Sequence, residues 1–321
     1  MSDSNLREKY ERQAEMLANR VAKRYRHLRK RFAKRNIEAF RLYDWDIPEI
    51  RAVVDWYGGH LVIGEYTRKQ SAPEWLPMMG EAVGRALEVP SENVHLKERY
   101  YGKSEGERYS RLDFTDRMII LSERDLKFYV NPWDYVDTGL FSDHRDTRLM
   151  VRESAEGKEF LNLFCYTASF SCYAAKGGAR STVSVDRSQT AVDWAKRNMD
   201  LNDIPEETNQ IIKAHTFSYL KKARRENLKF DLAVVDPPSF YTRRTTGDYF
   251  DIVRDHPALL ASVVELMRQG STIYFSTNHQ NFKPNLTSLK VSEVKEITSH
   301  TIPEDYVHKS KKIHRSWKIK V

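Results

Sequence analysis

Cysteine is scarce in this chain: two residues, Cys165 and Cys172, and no CxxC pair among them. That rules against a disulfide scaffold, implies no metal site, and fits a reducing compartment. Long apolar runs are missing too, since nowhere do roughly 18 apolar residues follow one another, so a membrane-spanning helix is not expected. The opening MSDSNLREKYERQ is polar and has no apolar core, which argues against a secretory leader and makes the cytoplasm the expected location. Internal repeats and low-complexity tracts are absent.

What is present is charge. Of 321 residues, 53 are Lys or Arg against 45 Asp or Glu, a net +8 that favours a polyanionic partner without dictating a fold. A hydrophobic fraction of 40% supports real cores, and the length suggests a large domain with a smaller one attached.

The spacing of Leu17, Val21, Tyr25, Leu28 and Phe32 predicts one long basic amphipathic helix from about Leu6 to Lys34. It reads both as a helix packed on the body with a solvated charged face and as a rail for phosphate. In AVVDWYGGHLVIGEY, two β-rich runs flank Gly58-Gly59, the mark of a tight hairpin, and EWLPMMGEAVGRAL then reads as helix. Further strands are expected at Asn93 to Tyr100, Arg117 to Leu121 and Leu126 to Val130, with an exposed loop at Gly102 to Arg108. The expected division is a basic helix (1–36), a small α+β domain for RNA or substrate (37–136), and a larger domain (137–321).

In the larger domain, strand and helix alternate. FLNLF, STVSVD, NQIIKAH, FDLAVVD and GSTIYFST read as strands, and SQTAVDWAKRNMDLN reads as a helix capped by Ser188. Such alternation predicts an α/β, Rossmann-like, mainly parallel sheet with ligands at the carboxyl ends of its strands. Asp186, His215 and Asp236 all stand at those ends. Asp186 is placed to accept hydrogen bonds from ribose hydroxyls, although a strand-ending Asp also serves as a helix cap or turn residue. The first turn, NLFCYTASFS, lacks the glycines of a dinucleotide fingerprint and no P-loop follows, which favours S-adenosylmethionine (SAM) over a pyrophosphate cofactor.

The runs DFTDRMIILSERDLKFYVNPWDYVDTGLFSDHRDTRLM, FLNLFCYTASFSCYAAKGGARSTVSVDRSQTAVDWAKRNMDLN, DLAVVDPPSF, FDIVRDH and GSTIYFSTNHQNF resemble, in order, the class I SAM-dependent 23S ribosomal RNA methyltransferases. The likeness is greatest to the RlmK half of the bifunctional RlmKL proteins, which methylate N7 of a guanine in domain V. It covers nearly the whole chain and implies a seven-stranded SAM-binding domain. In that family the RlmK half follows a THUMP-bearing guanine-N2 methyltransferase. The resemblance therefore implies a stand-alone enzyme acting on 23S rRNA or a pre-50S particle, with a separate RlmL-like protein as a partner to be tested.

Carried over by position, the resemblance puts Asn162, Phe164, Tyr166, Thr167 and Ala168 around the methionine end of SAM and Asp186 with Arg187 on the ribose. Phe141, Asp143 and Arg145 fall in the lead-in against the cofactor, and His215 with Thr216 at the adenine. Two positions depart from the pattern. Ala168 stands where relatives usually have Gly, adding a methyl to a tight turn. His215 stands where an Asp usually receives the adenine amino group, so the interaction needs a neutral imidazole and weakens in acid.

VVDPPSF carries the chemistry. Pro237 and Pro238 cannot donate backbone hydrogen bonds and stop the strand, so the neighbouring side chains project rigidly. In methylases with an Asp-Pro-Pro-aromatic turn the acid accepts from the N–H edge of a flipped base while the aromatic stacks on its face, roles that fall here on Asp236 and Phe240. Guanine N7 attacks through an in-plane lone pair, so no general base is needed and catalysis can be largely positioning. Cytosine-C5 methylation is disfavoured, because Thr277 and Ser239 stand where that chemistry needs Cys. Guanine-N2 or other base methylation remains open, as does a non-catalytic rRNA-binding assembly factor. Glutamine methylation of a protein fits the turn but not the basic helix. The C-terminal HKSKKIHRSWKIK reads as a phosphate-contacting tail or as a last strand.

Overall fold

A computed structural model describes residues 3–67, 72–100, 111–242, 249–279, 281–287, 289–308 and 311–321. The loop expected at Gly102 to Arg108 lies outside the described residues. The chain divides into two compact units, one holding the described residues up to 125 with 130–138, the other 126–129 and 139–321.

The first unit begins with α1 (Asp3–Ala33), whose Tyr10, Leu17, Val21, Leu28 and Phe32 are buried at four- and seven-residue spacings, as the amphipathic pattern requires. They join one core with Phe40, Leu42, Val54, Leu61 and Ile63 of a sheet ordered β1 (Ala39–Asp44), β2 (Ala52–Tyr57), β3 (His60–Thr67), β4 (Val94–Tyr100). β1 to β3 pair antiparallel, while β3 and β4 run parallel because α2 (Trp75–Leu87) carries the chain across. Gly58 and Gly59 turn the β2–β3 hairpin at φ +53° and +99°, a backbone that side chains rarely adopt. β5 (Ile119–Glu123) follows, two residues later than the sequence suggests.

In the second unit, β6 (Leu126–Val130) is fastened through its backbone. Asn202 and Asn198 of the predicted SQTAVDWAKRNMDLN helix accept from Lys127 N and Tyr129 N at 2.9 Å each. After α3 (Arg145–Glu153) come β7 (Glu159–Leu163), α4 (Ser169–Lys176), β8 (Ser181–Asp186), α5 (Gln189–Leu201), β9 (Asn209–Lys213), α6 (Thr216–Arg225) and β10 (Phe230–Val235). A short hairpin, β11 (Phe240–Thr242) with β12 (Tyr249–Asp251), leads into α7 (Ile252–Val264) and β13 (Met267–Thr277). β14 (Glu293–Glu296), α8 (Thr298–Thr301) and β15 (Arg315–Lys320) complete the unit.

The seven strands are ordered β14-β15-β13-β10-β7-β8-β9, parallel from β13 to β9 with β14 and β15 antiparallel at one edge. This is the expected mainly parallel, class I SAM-methyltransferase sheet. Its strands bury both faces by simple alternation: Leu161, Leu163, Ala233 and Val235 join one core, Phe160, Leu232 and Val234 the other. Chain order reverses between β10 and β7, so the crevice at their carboxyl ends is the natural ligand position. Among the described residues no helix is long and apolar enough to cross a membrane.

Of the C-terminal basic run, Arg315–Lys320 forms the last strand, β15. Arg315 and Lys312 pair with Glu296, and Lys320 donates to Thr272, so these charges are engaged within the unit.

Candidate active site

The turn after β7 is held in an unusual conformation. Phe164, Tyr166 and Ala168, none of them glycine, have φ of 58°, 49° and 60°. Such residues cost on the order of 1–2 kcal/mol each and persist only when the surroundings over-determine them. Here they do. Cys165 N donates to Val185 O (3.0 Å), Ala168 N to Cys165 O (2.8 Å), and Thr167 Oγ1 to Gly139 O (2.6 Å). Gly139, at φ +102°, has no space for a side chain, because a Cβ would lie 2.1 Å from the Trp194 ring.

Two residues carried over as cofactor contacts do supporting work in this geometry. Asn162 is buried and donates to Ser171 Oγ (2.8 Å), and Thr167 is buried under its bond to Gly139. Their side chains fix the turn, leaving Phe164 and Tyr166 half-buried at its lip, with the Phe141 ring 5.3 Å from that of Tyr166. Ala168 keeps the left-handed conformation that a glycine would adopt freely, with its methyl fully buried.

Asp186, ending β8, takes both roles that its position allows. Its Oδ2 accepts from Tyr166 N and its Oδ1 from Ser188 N, both at 2.9 Å, so the carboxylate braces the turn. Each oxygen retains a further lone pair, which suits two ribose hydroxyls. Burial pushes this carboxyl above the usual carboxylate range, against the pull of those amides. The amides of Cys165, Tyr166 and Ala168 are all engaged within the protein, so a pyrophosphate would find few donors here. A phosphate-free nucleoside fits, which is what SAM is.

Beyond β9, His215 caps α6 through its backbone, and its Nε2 lies 2.8 Å from Tyr241 Oη. To accept an adenine amino group at Nδ1, the ring must carry its proton on Nε2 and donate to Tyr241. Arg187 stacks its guanidinium 3.9 Å above the Tyr241 ring, and Thr216 is buried behind.

On the other side of β7, Asp236 follows β10. Register aligns Val235, Leu163 and Val185 in one row, so Asp236 and Asp186 leave strands two apart, roughly 10 Å by strand spacing. Ser276 Oγ donates to Asp236 Oδ1 at 2.6 Å, and His144 Nε2 stands 3.6 Å from its Oδ2. Phe240 is 36% exposed and meets Tyr249, 44% exposed, edge to face at 5.0 Å, with Arg254 stacked 4.4 Å over Tyr249. The turn is tied down by Ser239, which donates to Asn278, and by Ile252 N, which donates to Ser239 O (3.0 Å).

The lead-in residues are turned inward. Arg145 is 0% exposed and paired with Asp305, itself buried, an ion pair that supports the wall. Asp143 turns inward, its Oδ2 3.0 Å from His314 Nδ1. Both cysteines are buried, and burial raises the Cys165 thiol and pushes that of Cys172 up to about 12, so neither is a nucleophile. The sequence reading missed Ser276, Tyr249, Arg254, His144 and His314. His144 stood beside Asp143 in the quoted GLFSDHR, and Ser276 in GSTIYFST, but nothing in a linear motif shows that both converge on Asp236.

A family model described as S-adenosylmethionine-dependent methyltransferase matches residues 88–301, more than half of the chain. "Ribosomal RNA large subunit methyltransferase K" of Neisseria meningitidis serogroup B is 42% identical over 94% of this chain and 86% of its own length. "Ribosomal RNA large subunit methyltransferase K/L" of a Marinomonas species is 38% identical over 96% of this chain, which spans 43% of that relative. Among solved structures, a methyltransferase complexed with SAH superposes over 97% of this chain and 82% of its own at a TM-score of 0.76 and 24% identity. A SAM-dependent methyltransferase from Streptococcus mutans follows at 0.74 and 23%, over 97% and 81%. At these identities the two structures speak for the fold. The family model and the 42% identity over nearly the whole chain establish that this chain belongs to the S-adenosylmethionine-dependent methyltransferase family.

Proposed function

We propose that the protein methylates N7 of a guanine in large-subunit ribosomal RNA. The RNA class is supported by its relatives named K and K/L and by the net charge of +8. The observation that supports base methylation is the Asp236–Phe240 turn just past β10, where an acceptor fixed by Ser276 precedes a ring that is 36% exposed; the choice of N7 follows the family resemblance.

SAM supplies an electrophilic methyl group on a sulfonium. The protein's part is to hold the acceptor. Phe240, extended edgewise by Tyr249, takes a flipped base against its face; Asp236, fixed by Ser276, accepts from the base's N–H edge. N7 uses a lone pair that bears no proton, so the site needs no base, and the gain comes from alignment. The purine becomes cationic as the methyl arrives, and an aromatic face with a carboxylate at its border favours that state over the neutral one. The first unit, with the basic α1, is assigned to RNA contact, its exposed Arg26, Arg29 and Lys30 lying opposite the buried stripe.

Incubating the full chain with large-subunit rRNA and labelled SAM, then digesting to nucleosides, tests this reading. The label should appear in 7-methylguanosine; label in a guanine-N2 or pyrimidine product would overturn the atom assignment, and none at all would favour a binding role.

A further inference from the structure

Behind Asp236 lies a buried group that no motif singled out. His144 and His314 stack with ring centroids 4.2 Å apart and planes within 9°. His314 reaches Asp143 Oδ2 through Nδ1 and Thr301 Oγ1 through Nε2, each at 3.0 Å, and Thr301 donates onward to Thr298 O (3.1 Å). His144 directs Nε2 at two carboxylates, Asp236 at 3.6 Å and Asp143 at 3.8 Å, while its Nδ1 is buried with no hydrogen-bond partner among the described residues.

A metal ion is a poor reading of Asp143, His144 and His314, although their ligand atoms lie within 4.8 Å of one another. An imidazole binds metal along a lone pair in its own plane, and two parallel stacked rings keep those planes apart. Proton placement explains the geometry better. A bare Nε2 lone pair facing two carboxylates is repelled, whereas Nε2–H is attracted, so the neutral ring carries its hydrogen there and leaves Nδ1 as the idle acceptor. With Thr301 donating to Thr298, the Thr301 hydroxyl oxygen is left to accept from His314 Nε2. Everything facing His144 is consistent: His314, Asp143, the Asp236 carboxylate, the Arg148 guanidinium and the edge of Phe170.

We infer that His144 is a positioning residue for Asp236: its Nε2–H approaches Oδ2 while Ser276 holds Oδ1, so the carboxylate is held with its remaining lone pairs turned to the incoming base. His314 and Asp143 in turn hold His144. The 3.6 Å separation is longer than a hydrogen bond and closes when a base fills the site. This inference rests on the role proposed for Asp236.

His144→Phe keeps the ring and removes the donor, whereas His144→Gln restores an N–H near the Nε2 position. In the full chain, His144→Phe should lower kcat roughly 10- to 100-fold, as small misplacements do, with SAM affinity within about threefold. The acid limb of its rate profile should move to higher pH, because a carboxylate stripped of a donor protonates more readily. His144→Gln should recover most of both. On an Asp236→Asn background His144→Phe should add almost nothing. Unchanged kcat and acid limb in folded His144→Phe, no recovery with Gln, or full additivity with Asp236→Asn would each overturn the inference. Nitrogen-15 NMR of histidine-labelled protein decides the proton placement whatever the enzyme methylates: Nε2–H on His144 supports it and Nδ1–H overturns it. An active Asp236→Ala with Nε2–H on His144 would instead sink the proposed function and leave the proton placement standing.

Discussion

At the scale of single residues, the site works by fixing acceptors with donors from several strands. Asp186 is braced by two backbone amides and Asp236 by a serine from the neighbouring strand. His215 is the exception, since its role depends on which nitrogen holds the proton. If Nδ1 accepts the adenine amino group, SAM affinity should weaken in acid, because an imidazolium has no acceptor left. Calorimetry should find the trend in the wild type and its loss in His215→Asn. A slope that survives unchanged would contradict this and move the effect to Asp186, whose carboxyl burial has already made easier to protonate.

At the scale of elements, much was legible from local chemistry. Strands of the parallel sheet show as apolar runs ending in polar residues, and Ser188 caps α5 as its position predicts, accepting from Ala191 N at 3.3 Å. Ser188→Ala should cost about 1 kcal/mol of stability, read as a lower urea midpoint, with SAM affinity nearly unchanged because the Ser188 amide still reaches Asp186. A large loss of affinity without loss of stability would show that the hydroxyl itself serves the ligand. The β11–β12 hairpin was not legible, and with it Tyr249 and Arg254 escaped notice. Three-residue strands carry too little alternation to be recognised, and their pairing depends on the turn that Pro237 and Pro238 impose. The partners of the lead-in GLFSDHR were hidden for a related reason. A motif gives order along the chain, whereas Arg145 and Asp143 are claimed by Asp305 and His314, more than 150 positions away.

At the scale of the whole molecule, buried histidines couple stability to pH. In the first unit His95 is buried, its Nε2 3.1 Å from His60 Nδ1. Burial first, then the charges of His60 and Lys97, lower its pKa from 6.5 to about 4. The unfolded chain therefore binds this proton before the folded one does, so the stability kept by the neutral ring is complete above 6.5 and is lost as pH falls toward about 4. Urea midpoints should decline across that window and flatten in His95→Phe, while Asp134, held low by Thr115, Asn131 and Arg111, gives way only at more acid pH. A midpoint constant between 6.5 and 4 would refute this assignment.

The decisive measurement is single-turnover methyl transfer to large-subunit rRNA by Asp236→Ala, alongside SAM affinity measured on the same preparation. The account predicts a rate lower by about 100-fold or more, with affinity for SAM within about threefold, since alignment of the acceptor is lost while the cofactor crevice is intact. A variant that transfers methyl at the wild-type rate would contradict it.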